Sequence, residues 1–225
     1  MRGLTCALSL LAGAAMAQDY VEVDGPLSDD AFYDLVSCRA APGQPCRFDR
    51  VRWSPDRARG LRIGFAAVDP AYPGELAGHL DRALDLAISS INGIGADLAL
   101  VRVAKSEEAD IRIHLVPFGD GDVLIGTGEP AIDGEILGAA LVHVWWDVDG
   151  HLTQGIVVMA DDIPLPDAYP VLLEEITQGL GLLTDIRAEY YESRSVFSED
   201  SNSVTKHGEQ DIMAIRRHYP PQAEP

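Results

Sequence analysis

The residues with the clearest chemical potential lie in the segment Glu174-Glu175-Ile176-Thr177-Gln178-Gly179-Leu180-Gly181-Leu182. Positions i and i+4 share one helix face, so Glu174 and Gln178 are expected to point the same way. Glu175 would be rotated from Glu174 by about 100°. Oxygen-bearing side chains on one face can hold a cation, and a neighbouring carboxylate can act as general base toward a water molecule. We therefore expect a helix that carries a candidate metal or catalytic site.

The spacing of this segment is similar to the pattern H-E-x-x-H followed by x-x-G. In that pattern two histidines bind one zinc ion and the glutamate between them is the general base. Glu174 stands at the first ligand position, Glu175 at the base, Gln178 at the second ligand and Gly181 at the glycine. The base and the glycine are therefore present, whereas both histidines are replaced.

Further ligands would have to come from residues beyond the glycine. The third ligand position falls at Thr184, a poor zinc ligand, while Asp185 offers a carboxylate one residue later and His207 is a more distant candidate. Glu174, Gln178 and Asp185 form an all-oxygen set, which suits calcium or magnesium better than zinc. The sequence leaves three alternatives open: catalytic zinc, another divalent cation, or no metal. A structural role for the two glutamates, lining a cleft and bonding to arginine or backbone donors, also stays open.

Hydrophobic periodicity predicts the elements that must position this segment. Alternating or continuous apolar runs predict strands over 61–68, 98–103, 111–116, 141–146 and 153–159. Apolar residues at helical spacing predict helices over 75–91, 167–183 and 209–218. This order indicates an α+β fold with a mixed, twisted sheet, a long backing helix, a motif helix and a C-terminal closing helix.

From about residue 61 to 221 the chain resembles the zincin-like metalloprotease superfamily. The order of strand, long helix, strands, hairpin and motif helix is similar to a zincin domain. The segment Ala109-Asp110-Ile111-Arg112-Ile113 looks like the A-D-I-x-I strand of matrixin-type enzymes. Asp211, Ile215 and Tyr219 fit their closing helix, D-x-x-x-[IL]-x-x-x-Y. The resemblance implies a zincin fold.

The form E-E-x-x-Q-x-x-G-L followed by Asp185 is similar to a family of exported bacterial proteins known only as a domain of unknown function. That family carries the degenerate motif as its own pattern. Tyr190 and Tyr191 follow the motif where some zincins place a tyrosine that stabilises the oxyanion. No Met-turn is evident, because Met213 lies within the predicted closing helix.

The resemblance leads to three functional hypotheses. The first is an exported relative of peptidases with reduced or lost activity, which binds a peptide or other ligand in its cleft along an edge strand near 153–159. The second is an active metal-dependent hydrolase with Glu175 as general base. The third is a structural, envelope-associated binding module.

The N-terminal residues predict export. Arg2, the apolar run 4–14 and Ala15-Met16-Ala17 form a secretory signal peptide over 1–17. Residues 18–60 form an irregular extension in which Cys38 and Cys46, the two cysteines left after cleavage, are expected to pair in an oxidising compartment. The sequence does not distinguish the periplasm from the medium. The main domain is predicted over 61–221.

The charge excludes some classes of partner. A formal net charge of −19 gives no basic face for nucleic acid or anionic membranes. No segment after the signal peptide is long and apolar enough to enter a bilayer. A peptide or protein ligand remains the expected partner.

Overall fold

The structure is a computed structural model that describes residues 13–17, 19–104 and 108–221. Its strands are β1 (Gly13–Ala17), β2 (Asp19–Glu22), β3 (Arg52–Trp53), β4 (Leu61–Val68), β5 (Leu100–Arg102), β6 (Ile111–Leu115), β7 (Ala140–Trp146), β8 (His151–Met159) and β9 (Thr184–Arg187). Its helices are α1 (Asp29–Cys38), α2 (Pro55–Ala58), α3 (Gly74–Asn92), α4 (Ala168–Gln178) and α5 (Glu209–His218). Residues 1–12 of the predicted signal peptide lie outside the described residues. Within the described ranges, no helix is long and apolar enough to cross a membrane.

The main sheet is mixed, as the element order predicts. Its strands follow the order β1-β7-β8-β6-β4-β5, and β3 pairs with the first residues of β8. β5, β4, β6 and β8 are mutually parallel, whereas β7 is antiparallel to β8. Parallel neighbours need a crossover, and the long helix α3 supplies it between β4 and β5. The coarse α+β class is therefore confirmed.

One expectation about this sheet is wrong. Residues 153–159 were expected to offer an edge strand, but β8 pairs with β7 on one side and with β6 on the other. Its run from Ile156 to Met159 is fully buried, as is typical of a strand in the centre of a sheet. The strand beside it, β7, lies toward the rim, and β1 pairs with its outer side.

The two long helices share one face of the sheet. α3 buries Leu76, Leu80, Leu84, Ala87 and Ile91, and it packs beside α4. α4 contacts β7 and β8, and the turn after it approaches Ile111 of β6. Because side chains alternate along a strand, Ile111 and Ile113 face the helices while Arg112 and His114 face the opposite side.

The opposite face is covered in part by the glycine-rich segment 119–138. Its backbone folds back on itself, since Leu124 donates to the carbonyl of Glu135 and Gly134 donates to that of Leu124, both at 2.8 Å. Leu124, Ile132 and Leu137 are buried. The segment is tied to the sheet by Glu129, whose Oε1 lies 2.8 Å from Nη1 of Arg112.

The N-terminal extension packs on the closing helix. α1 contacts α5 and β9, and the Phe32 ring meets those of Tyr191 and Phe197 at centroid distances of 5.6 and 6.1 Å. Cys38 and Cys46 form a disulfide with their Cα atoms 5.1 Å apart, so this predicted pairing is confirmed.

Candidate functional site

Helix α4 presents the motif residues on one side and its apolar residues on the other. The apolar residues on the side away from the motif, Leu172, Leu173 and Ile176, are fully buried. Glu175 is 7% exposed and Gln178 is 1% exposed, while Glu174 is half-buried. The motif carboxylates therefore lie largely inside the protein, where a charge is unfavourable unless it is paired, protonated or bound to a cation.

The predicted helix over 167–183 is one turn too long. α4 ends at Gln178, and Gly181 adopts φ +100°, which is incompatible with a helix. A Cβ on Gly181 would lie 2.1 Å from the carbonyl oxygen of Val51. The motif glycine is thus required both for its backbone conformation and for the close approach of the N-terminal extension.

Hydrogen bonds from distant segments hold this turn. The indole nitrogen of Trp53 donates to the carbonyl of Gly179 at 3.0 Å, and the Tyr219 hydroxyl donates to that of Leu180 at 2.6 Å. The same hydroxyl accepts from the backbone nitrogen of Trp53 at 3.0 Å. The carbonyls at the helix end, which lack intrahelical partners, are satisfied in this way.

The turn brings Asp185 back to the motif face. Asp185 lies in strand β9 and is 5% exposed. Nε2 of Gln178 donates to Oδ1 of Asp185 at 2.8 Å and reaches Oε1 of Glu174 at 3.5 Å. The structure therefore brings together three of the four predicted ligands, with the Gln178 amide in reach of both carboxyl groups and these groups hydrogen-bonded to each other.

Burial and mutual repulsion shift the acidity of this cluster. Burial, followed by the charges of Asp185 and Glu175, raises the pKa of Glu174 well above its usual range. Burial and the charge of Glu199 raise the pKa of Asp185 to about 8, against the hydrogen bond from Gln178. Burial, then the charge of Asp185, raises the pKa of Glu175. The cluster therefore favours bound protons or a bound cation.

Glu199 is a member of this environment that the sequence did not indicate. It belongs to a segment that hydrogen-bonds to β9, and its backbone nitrogen donates to the carbonyl of Ile186 at 3.1 Å. Its carboxylate accepts from Arg187 at 3.2 Å. Arg187 also binds Asp200, so its charge is already shared by two carboxylates. No sequence motif relates Glu199 to Glu174. Only the pairing of its segment with β9 shows that Glu199 belongs to the environment of the site.

Several buried oxygens of the site have no hydrogen-bond partner among the described residues. They are Oε2 of Glu175, Oε1 of Gln178 and Oγ1 of Thr184. Unpaired buried acceptors are rare, because each carries a desolvation penalty of about 1–3 kcal/mol. A water, a proton or a small cation would satisfy them, and the all-oxygen chemistry of the set fits calcium or magnesium better than zinc.

His207 does not join this cluster. Its Nε2 lies 3.0 Å from Oγ1 of Thr177 and its Nδ1 lies 3.3 Å from Oγ of Ser90, so it bridges α4 and α3. Burial lowers its pKa to about 4, which keeps the ring neutral. Both ring nitrogens are engaged, and the structure places His207 in a packing role rather than beside Gln178.

Two further features have contacts of their own: Tyr191, which the resemblance indicated, and an acidic turn, which the sequence did not indicate. The Tyr191 hydroxyl accepts from the backbone nitrogen of Leu27 at 2.8 Å and donates to Gln210 at 3.1 Å, so it is engaged in holding the extension. Among the described residues, the one group with the spacing of a three-residue metal site is Asp147, Asp149 and His151, in the β7–β8 turn. That group is largely exposed.

The N-terminal segment runs along both strands that flank the site. β1 pairs antiparallel with β7, with Ala17 opposite Val142. β2 then pairs parallel with β9, with Tyr20 opposite Asp185. The Arg187 guanidinium stacks 3.6 Å above the Tyr20 ring. An extended chain therefore passes from the sheet edge to the strand that carries Asp185.

The comparisons with known proteins are negative. No protein-family model matches this chain, and no curated protein matches it with significance.

Proposed function

We propose that this chain is an exported, zincin-like protein with a degenerate metal site, which binds an extended peptide and has little or no hydrolytic power. The observation that carries the proposal is the path of β1 and β2 along β7 and β9. β7 and β9 each pair with an added strand, the N-terminal segment of the same chain, through backbone hydrogen bonds. β-Strand addition recognises peptides in this way. The carboxylate cluster lies on the β9 side of this path.

Further observations support the zincin-like part of the proposal. The observed order of β4, α3, the four strands β5 to β8 and α4 is that of the resemblance drawn from the sequence. Gly181 turns the chain after the motif helix; Asp211 in α5 and Tyr219, which directly follows α5, both make hydrogen bonds. The missing histidines at 174 and 178, together with the hydrogen bond from the Gln178 amide to Asp185, favour reduced catalysis over a zinc hydrolase.

Export would open the peptide site. Signal cleavage after Ala17 would remove β1 and leave the outer backbone groups of β7 unpaired, whereas β2 would stay with β9. An unpaired edge is a ready template for another strand. The disulfide between Cys38 and Cys46 fits an oxidising compartment such as the periplasm or the medium.

The experiment uses the chain that begins at Gln18 and a synthetic peptide of residues 10–17. Trp145 and Trp146 lie opposite Ala14 and Gly13 in the β7 ladder, so binding should change their fluorescence in a saturable way. A peptide N-methylated at alternate backbone nitrogens, which cannot donate to β7, should bind more weakly. Uncleaved protein, in which β7 is already covered, should not respond. Equal binding to the uncleaved and processed chains would contradict the proposal.

A second candidate, an active metal-dependent hydrolase, is favoured by one observation. Oε2 of Glu175 is buried and has no hydrogen-bond partner within the described part of the chain, and burial raises the pKa of this carboxyl group. A carboxylate in such surroundings is suited to accept a proton from water. Chelator-sensitive peptidase activity that disappears in Glu175→Gln would support this candidate over the first.

A further inference from the structure

A second polar site lies on the sheet face opposite the motif helix. The cavity has a volume of about 540 Å³ and is lined by three arginines, a histidine and polar residues from β6, β8 and the glycine-rich segment: Arg57, Arg62, Arg112, His114, Asp110, Glu129, Thr153 and Gln154 among them. Arg112 and His114 point into it because they alternate with Ile111 and Ile113, which face α4. The site is therefore separated from the carboxylate cluster by the sheet itself.

The arginines are fixed in place by buried or half-buried carboxylates. Asp110 is 6% exposed; its Oδ1 accepts from Arg57 at 2.9 Å and from Arg62 at 3.0 Å. Oδ2 of Asp110 also accepts from the backbone and side chain of Arg62. These bonds lower the pKa of Asp110 although its burial acts to raise it, so the carboxylate stays charged. Glu129 holds Arg112 in the same manner at 2.8 Å.

Donors are left over once these ion pairs are made. Arg57 uses Nη1 for Asp110 and Thr153, which leaves Nε and Nη2 without a partner among the described residues, and its side chain is 51% exposed. Three guanidinium groups and two carboxylates line the cavity, in a chain whose formal charge is −19, and Glu108 acts on Arg62 from outside the lining. Such a local excess of arginine donors favours an anion, since guanidinium geometry matches carboxylate and phosphate oxygens.

The buried histidine gives an independent indication of a ligand. His114 is 6% exposed, and its Nε2 has no hydrogen-bond partner among the described residues. The nearest carboxylate oxygen, on Glu129, is 4.0 Å away, beyond hydrogen-bond distance. A buried polar nitrogen of this kind is expected to have a partner. A ligand oxygen in the cavity would accept from Nε2–H of the neutral ring.

From these observations we infer that the cavity is a binding site for a small oxyanion ligand, an organic acid or a phosphate ester. The acidic groups of the ligand would accept hydrogen bonds from Arg57 and from Nε2 of His114. The volume lies within the range of small-molecule sites, about 300–1,000 Å³. The site is independent of the peptide site, and neither proposal requires the other.

The test uses calorimetric titration of the processed chain with succinate and, separately, with inorganic phosphate at low ionic strength. We expect saturable binding of at least one of them, and the one that binds identifies the acidic group. Arg57→Gln should weaken binding by about tenfold, because it removes charge-assisted donors. Arg59→Gln is the matched control: it is similarly exposed, at 45%, but it binds Asp97 outside the cavity. The affinity of Arg59→Gln for the anion should stay within about twofold of the wild-type affinity.

A second measurement follows His114 directly. The Nε2 resonance of His114 in the wild type should shift with the added ligand along the same curve as the calorimetry, while that of His151 should not. No saturable binding of either anion would overturn the inference. Equal weakening by Arg57→Gln and Arg59→Gln would also overturn it, because it would indicate attraction by general charge alone.

Discussion

The amide nitrogen of Gln178 lies 2.8 Å from Oδ1 of Asp185, across the turn formed by Gly181. A histidine at position 178 would bring a metal-binding nitrogen to this position, whereas glutamine brings a neutral hydrogen-bond donor. The amide donates to Asp185 and lies 3.5 Å from Glu174, and the Glu174 and Asp185 carboxyl groups also hydrogen-bond to each other. The contact between Gln178 and Asp185 is the structural counterpart of the histidine missing from the motif, and it opposes the rise in the pKa of Asp185 that burial causes.

The first prediction concerns the acidity of Asp185. Its pKa is about 8 in the folded chain against 3.8 ordinarily, so the folded state holds a proton that the unfolded state releases. Stability from this proton is fully present below about pH 3.8 and is lost as the pH rises toward 8. Asp185→Asn, which resembles the protonated form, should therefore gain stability relative to wild type over this window. Urea unfolding with chelator present measures it.

A control separates this effect from general charge. Asp56→Asn removes a carboxylate whose side chain is 99% exposed, so its stability difference from wild type should change little over the same pH range. A stability difference for Asp185→Asn that is flat between pH 4 and 8 would contradict the predicted acidity.

The second prediction concerns the motif glycine. Gly181→Ala forces an alanine to φ +100° and sets its Cβ against the carbonyl of Val51. Gly134 has nearly the same φ, +98°, but an added Cβ would meet open space. Gly134→Ala therefore measures the cost of the positive φ alone. We expect about 1–2 kcal/mol of destabilisation for Gly134→Ala and about 1–3 kcal/mol more for Gly181→Ala. Equal losses of unfolding free energy in Gly181→Ala and Gly134→Ala, measured by urea unfolding, would show that the close approach to Val51 does not contribute to the destabilisation.

The third prediction concerns the disulfide. The short loop between Cys38 and Cys46 should contribute about 2–3 kcal/mol to the free energy of unfolding. Non-reduced peptide mapping should recover the two cysteines as one linked species. Cys38→Ser with Cys46→Ser should reproduce the loss caused by a reductant, and a reductant should have no further effect on this variant. Two free thiols in exported protein would refute the pairing.

The fourth prediction concerns zinc. Wild type should hold no stoichiometric zinc, because it offers only oxygen ligands. Glu174→His with Gln178→His places two imidazoles at i and i+4 beside Asp185, and should raise zinc affinity by at least about tenfold in calorimetry. Glu174→His alone is the control and should gain less. No gain in the double variant would falsify the zincin-like geometry of the helix.

Much of the architecture could be predicted from local pattern. The closing helix begins and ends at the expected residues, 209 and 218, and the strand over 61–68 matches in full, because period and capping are local properties. The motif glycine and the cysteine pair were likewise visible in the sequence. The helix end was misplaced because two glycines stop α4 after Gln178, and leucines at 180 and 183 continued the apolar pattern beyond it.

The sequence by itself determined which chemical groups are present and their order: carboxylates at 174 and 175, an amide at 178 and no histidine beside them. Only the tertiary structure decided their neighbours. It joined Asp185 to Gln178, added Glu199 through pairing with β9, and placed His207 between Thr177 and Ser90. It also placed β8 inside the sheet. Strand pairing and the direction of a turn depend on contacts between residues distant in the chain, and no local period encodes them.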